Sequence, residues 1–235
     1  MIPRVLVATA EMPDGGGEIR LLRHGADFSI MLGRIELMNS RMSGSEEALA
    51  TLTCARLALR PAPRLLIGGL GMGFTLRAAL AQAGKDAALI VAELVPAVVV
   101  WARGPLAPLF GDSLADPRVT IVEDDVGALM RSAHGHYDAI LLDVDNGPDA
   151  LTRKANDWLY AAKGLDAARA ALRPGGVLAI WSAYPDRPFS GRLRRAGFVV
   201  EEVKTRARQG RGAHHIIWLA TKPEPPRGTV QPIRR

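Results

Sequence analysis

Leu65-Leu66-Ile67-Gly68-Gly69-Leu70-Gly71-Met72-Gly73 is the stretch whose reading decides the fold. Three consecutive apolar residues suit a short strand buried on both faces. The glycines at 69, 71 and 73 let the backbone turn tightly and approach a ligand with no Cβ in the way. A helix over 75–82 follows, and its free N–H groups face whatever sits in the turn. The dinucleotide fingerprint G-x-G-x-x-G is not met, because Phe74 stands where its third glycine belongs. The spacing here is G-x-G-x-G.

Outward from this turn the chain alternates strand and helix. Strands are expected at 65–67, 88–92, 119–122, 139–142, 177–181, 199–203 and 216–220. Helices are expected at 75–82, 97–103, 126–131, 158–172 and 190–196, the fourth stopped by Pro174-Gly175-Gly176. Short apolar strands alternating with helices predict an α/β fold with a mostly parallel seven-stranded sheet. The last two strands have no helix between them and read as an antiparallel hairpin at one edge. Upstream, β-like runs at 5–9, 19–23 and 28–32 are separated by turn signals and predict a small antiparallel sheet over 1–44. A helix with Ser45 as N-cap, Glu46 and Glu47 in its first turn and Leu49, Leu52, Leu57 and Leu59 as apolar positions then opens a unit spanning 45–222. A Pro-rich flexible tail is expected at 223–235.

Composition narrows the function classes. The 235 residues are 48% hydrophobic and 23% charged, as in a globular chain with a sizeable core. The apolar runs at 87–92 and 95–102 fall far short of the roughly 20 residues a membrane helix needs. Met-Ile-Pro-Arg followed early by Glu11 does not read as a signal peptide, so a cytoplasmic location without membrane contact is expected. The net charge of +6 is carried entirely by residues 205–235, where Arg206, Arg208, Arg211, Lys222, Arg227, Arg234 and Arg235 face one acid, Glu224. A basic loop at 206–211 and a basic tail argue for solvation rather than nucleic acid, since no RNP motif accompanies them. Cys54 is the single cysteine and reads as core. The five histidines show no metal-ligand spacing, so no metal is expected.

Acids close three consecutive strands of the α/β unit. Glu93 follows Gly69 by 24 residues, at the end of the second strand, where a carboxylate can accept both hydroxyls of a ribose. Asp124 and Asp125 close the third strand, where one can accept an adenine amino group. Asp143 ends the fourth, in Tyr137-Asp138-Ala139-Ile140-Leu141-Leu142-Asp143. All fall at the carboxyl edge of the sheet, where open α/β folds bind ligands. Each acid alone reads as a cap or loop residue; together they read as a nucleoside site.

The glycine loop resembles that of class I S-adenosylmethionine (SAM) dependent methyltransferases. The order of glycine loop, Glu93, Val122-Glu123-Asp124-Asp125-Val126-Gly127 and Tyr137-Asp138…Asp143 resembles the spermidine synthase family of polyamine aminopropyltransferases more specifically. The resemblance covers roughly residues 18–222, including the N-terminal sheet. It implies a Rossmann-like class I fold, a homodimer built through the N-terminal sheet and helix, and a site in which Gly69, Gly71 and Gly73 cradle the nucleoside. By the same resemblance Glu93 would bind ribose, Asp125 with Asp124 would bind adenine, and Asp143 would face the acceptor amine.

Three departures bear on which group is moved. The family loop reads Gly-Gly-Gly-Asp-Gly-Gly, and its Asp meets the free amine of decarboxylated SAM; here that place is Gly71, or Met72 if the register slips by one. The family's Asp-Ser-Ser-Asp-Pro becomes Asp143-Val144-Asp145-Asn146-Gly147, so its second acid is Asn146 or has moved to Asp145. The Tyr-His-Glu stretch of the first helix reads Ser45-Glu46-Glu47. The expectation is therefore a SAM-dependent transferase moving the methyl group of intact SAM to a small acceptor, an amine among the candidates. Asp143 would orient or deprotonate the nucleophile, and Asp145, Asn146 and Tyr184 would line the acceptor side with Trp181. Aminopropyl transfer from decarboxylated SAM is the alternative, and non-catalytic nucleoside binding a third reading.

Overall fold

In the computed structural model, the described residues are 3–144, 157–208 and 211–225. The N-terminal run forms a four-stranded antiparallel sheet in the order β1-β2-β3-β4 (Val5–Glu11, Glu18–His24, Asp27–Leu32, Ile35–Asn39). The fourth strand was not anticipated, because Glu36 interrupts its apolar alternation. Inside the sheet that carboxylate is satisfied by Ser29 Oγ at 3.1 Å and Asn39 Nδ2 at 2.9 Å, which removes the objection to it.

Helix α1 (Gly44–Arg56) then leads into β5 (Arg64–Gly68), α2 (Phe74–Gln82), β6 (Ala88–Ala92), α3 (Pro96–Arg103), α4 (Ala107–Phe110), β7 (Val119–Val122), α5 (Val126–Ser132) and β8 (Tyr137–Leu142). The remaining elements are α6 (Asp157–Tyr160), α7 (Ala162–Ala171), β9 (Leu172–Ser182), α8 (Arg187–Arg195), β10 (Val199–Arg208) and β11 (Arg211–Thr221). The seven-stranded sheet has the order β10-β11-β9-β8-β5-β6-β7. β6, β7, β8 and β9 run parallel to their β5-side neighbours, and β11 is antiparallel to both β9 and β10. The expected α/β class, parallel core and antiparallel edge are all present. Central strands are buried on both faces, Leu65, Leu66 and Ile67 completely, which is why they read as unbroken apolar runs.

Several local expectations need correction. Helix α1 begins at Gly44, with the Ser43 carbonyl accepting from Glu47 N at 2.8 Å, so Ser45 lies inside the first turn rather than at the cap. The helix ends at Arg56, and Leu59 is 98% exposed instead of packing. The helix expected at 158–172 is broken at Ala161 into α6 and α7, since Ala161 is extended (φ −80°, ψ 167°). Gly164 permits the break: a Cβ there would lie within van der Waals distance of the Trp158 carbonyl oxygen. β9 starts at Leu172, so Pro174-Gly175-Gly176 sits at an irregularity in the strand's pairing with β8 rather than before it. The basic stretch expected as a loop from 206 lies mostly in the hairpin, where β10 extends to Arg208 and β11 begins at Arg211. The tail from 226 onward, together with Asp145 and Asn146, lies outside the described residues. No described helix is long and apolar enough to cross a membrane.

Candidate active site

The glycine turn leaves β5 at the carboxyl edge of the sheet, and two of its glycines are dictated by geometry. Gly69 has φ +89°, and a Cβ there would fall 2.8 Å from the main-chain oxygen of Asp143. Gly73 has φ +77° and precedes α2, where a Cβ would collide with the ring of Phe110 on α4. Close approach of β5 to the end of β8 thus requires one glycine, and packing of the unanticipated α4 the other.

Two adjoining cavities open beside this turn, under β4 of the N-terminal sheet. Gly71, Met38 and Asp143 line both. The larger-walled one also takes in Gly69, Glu93, Asp124 and Asp125. The other takes in Asn39, Glu46, Phe74 and Trp181. The structure therefore gathers Gly69, Gly71, Glu93, Asp124, Asp125 and Asp143 at one place. Gly73 lies on the second cavity. Tyr184 lines neither: its side chain is 71% exposed, because the chain turns outward after β9, where Ser182 Oγ meets the Tyr184 main chain.

Glu93 is 7% exposed, and its two oxygens accept from Leu70 N at 2.9 Å and Val95 N at 2.8 Å. Burial pushes its carboxyl above the ordinary range, opposed by these N–H groups. It is thereby rigidly held at the cavity wall. Asp125 is the N-cap of α5, its Oδ1 accepting from Gly127 N at 2.9 Å, and its other oxygen lies 3.5 Å from Arg131. Asp124 Oδ1 accepts from Asp125 N at 2.7 Å. The capping interpretation of Asp125 is thus real, and it holds one oxygen of the carboxylate at the cavity wall.

On the other side sits a carboxyl pair. Asp143 Oδ2 accepts a 2.6 Å hydrogen bond from Thr75 Oγ1. Burial nevertheless pushes Asp143 up to about 6. Glu46, in the first turn of α1, is pushed up to about 7, by burial first and then by the charge of Asp143. Glu46 Oε2 accepts from Ser45 Oγ at 2.7 Å, and Ser45 Oγ lies 2.9 Å from Nδ1 of His215 on β11. The His215 ring meets Trp181 edge-on, 4.9 Å between centroids. Thr75, Met38 and His215 escaped the sequence reading, which sets Glu46 in the first-helix stretch compared with the family but gives it no role in the site. Glu46 reads there as an acid complementing the helix dipole, and nothing local marks His215. A Cβ on Gly71 would lie 3.2 Å from Met38 Sδ, so a thioether abuts the place of the family's loop acid. Cys54 is buried with its thiol pushed up to about 11, as befits packing.

An open, mostly parallel seven-stranded α/β sheet with a glycine turn at its carboxyl edge is a Rossmann-like fold of the class I methyltransferase type. Comparison with known proteins bears on the particular family. No protein-family model matches the chain. Polyamine aminopropyltransferase 1 of Streptomyces coelicolor is 35% identical over 127 residues, which are 53% of this chain and 23% of that protein. Putrescine N-methyltransferase 3 of Nicotiana tabacum is 37% identical over 121 residues, 50% of this chain and 29% of that protein. Spermidine synthase from Thermotoga maritima superposes with a TM-score of 0.73 at 19% identity, covering 94% of this chain and 73% of that one. The matched stretch spans about a quarter of the curated relatives' length. The chain resembles spermidine synthases in its class I methyltransferase-like fold, and the curated relatives it matches in part are transferases.

Proposed function

We propose that the chain transfers a carbon group from a SAM-type sulfonium nucleoside to a small amine. The observation that carries this reading is the position of Asp143, which lines both the cavity holding Glu93, Asp124 and Asp125 and the cavity holding Glu46. On the nucleoside side, the absence of a Cβ at Gly69 and the held carboxylate of Glu93 fit a ribose, and Asp124 with Asp125 fit an adenine edge. When bound, such a nucleoside supplies an already activated electrophilic carbon, so the protein's part is alignment and charge. On the acceptor side, Asp143 and Glu46 together attract an ammonium group and accept its proton, and Trp181 and Phe74 supply apolar wall.

We assign the aminopropyl group of decarboxylated SAM as the group moved. This reverses the order expected from sequence. Two things support it: the spermidine synthase and aminopropyltransferase relatives, and Glu46, an acid beside the glycine turn that the loop comparison did not count. Methyl transfer from intact SAM is the second reading, favoured by the putrescine N-methyltransferase relatives and by Met38, rather than an acid, abutting the loop at Gly71.

Calorimetric titration with SAM, decarboxylated SAM and methylthioadenosine in parallel tests both readings. Tighter binding of decarboxylated SAM, with turnover of a diamine, supports aminopropyl transfer. Tighter binding of SAM, with methylation of an amine, replaces it by the second reading. Binding of none of the three overturns the proposal.

A further inference from the structure

One polar chain leads out of the carboxyl pair toward the surface. Glu46 is half-buried, Ser45 is fully buried, and His215 is half-buried on β11. The Ser45 hydroxyl donates to Glu46 Oε2 at 2.7 Å, so its oxygen is free to accept from His215 Nδ1 at 2.9 Å. That arrangement requires a proton on Nδ1 of His215 while Glu46 is ionised. The edge-on contact with Trp181, which itself lines the cavity, holds the ring in place. A buried hydroxyl and a half-buried imidazole thus stand in series on a cavity acid.

We propose that Ser45 and His215 form the exit for the acceptor's proton, Glu46 handing it through the Ser45 hydroxyl to the imidazole and so to solvent. The inference rests on the transferase reading above. An ammonium acceptor must lose one proton before its lone pair forms the new C–N bond; the C–S bond breaks with its electron pair going to sulfur, which becomes a neutral thioether. The Glu46–Asp143 pair takes that proton. Protonated Glu46 then donates to Ser45 Oγ, whose own proton passes to Nδ1 of the Nε2–H tautomer of His215; the imidazolium releases its Nε2 proton outward, and exchange with solvent returns the ring from the Nδ1–H to the Nε2–H tautomer. Charge and atoms balance, and the carboxyl pair is reset for the next turnover. The titratable groups facing Glu46 are Asp143 at the end of β8, Glu47 on its own helix and, through Ser45, His215. His215 is a positioning and relay residue in this scheme, with no contact to the reacting atoms.

The test has one arm independent of turnover. In NMR titration of the imidazole nitrogens of the full chain, Glu46→Gln is expected to move the His215 midpoint to lower pH, and Ser45→Ala is expected to remove most of the dependence on Glu46. The kinetic arm uses His215→Ala, expected to lower kcat about tenfold with KM unchanged, within the range of a proton-transfer contribution, and to be rescued by added imidazole. If no amine is turned over by the unaltered chain, the transferase reading fails and the NMR arm still decides the coupling. A His215 midpoint unmoved by Glu46→Gln overturns the relay. So does a loss of activity in His215→Ala that imidazole does not restore in a chain whose unfolding midpoint is unchanged.

Discussion

Thr75 and Asp143 are joined by a 2.6 Å hydrogen bond that ties the first turn of α2 to the end of β8. Thr75 is 3% exposed and also lies 3.3 Å from the main-chain oxygen of Glu46. A residue just after the glycine turn therefore acts on the carboxylate that both cavities share. Its donation favours the charged form, and burial opposes it.

Thr75→Val removes the donor while keeping the shape. Asp143 then rises above its present value of about 6, and the acidic limb of the pH profile of kcat/KM moves to higher pH. Leaving a buried acceptor unpaired costs about 1–2 kcal/mol of stability. A pH profile with an unmoved acidic limb contradicts the assignment of that limb to Asp143.

The raised carboxyl pair also makes stability depend on pH. Asp143 goes from 3.8 to about 6 and Glu46 from 4.5 to about 7, so the folded chain binds more protons than the unfolded chain in that interval. The contribution is fully present below about pH 4 and is lost as pH rises through about 7. Glu46→Gln should flatten this slope and stabilise the chain at pH 8 by about 1–2 kcal/mol, allowing for partial solvent exposure, or a few degrees in Tm. Thermal unfolding from pH 4 to 8 measures it. A variant no more stable than the parent at pH 8 would show that the pair carries no such strain.

Glu93→Gln presents one acceptor oxygen to main-chain donors that a carboxylate meets with two. We expect methylthioadenosine affinity to fall tenfold or more, which is about 1.4 kcal/mol, with a stability loss of about 1–3 kcal/mol. Calorimetry and urea unfolding separate the two effects. Unchanged affinity removes Glu93 from the nucleoside site.

Asp138 serves as the contrast. It is 2% exposed and accepts from Arg60 Nη1 at 3.0 Å, Arg64 N at 2.8 Å and Arg173 Nη1 at 2.8 Å. It sits at the start of β8, at the other end of the strand from Asp143. Asp138→Asn should cost about 2–4 kcal/mol, discounted because both arginines are partly exposed, yet leave nucleoside affinity within about twofold. A larger affinity loss would mean that the two ends of β8 are coupled.

The α/β class, the strand positions and the grouping of Glu93, Asp124, Asp125 and Asp143 at one sheet edge were legible in the sequence. Each depends on local pattern: unbroken apolar runs for buried strands, a glycine turn after the first, and acids where strands stop. Helix ends were less legible, because a cap is chosen by which backbone groups find partners. Ser45 reads as a cap and is instead committed to Glu46, while the break at Ala161 depends on α7 closing against the main chain of α6.

Tertiary structure alone brought Glu46, Thr75 and His215 to Asp143. Glu46, Thr75, Asp143 and His215 come from α1, α2, the end of β8 and β11, separated by up to 169 positions in the chain. No spacing rule links them, and their burial, which shifts the carboxyls and orders the Ser45–His215 pair, exists only once the sheets close over the site. Local sequence dictates hydrophobic period and turn chemistry. Desolvation and long-range proximity, which set what a carboxyl does, belong to the folded chain.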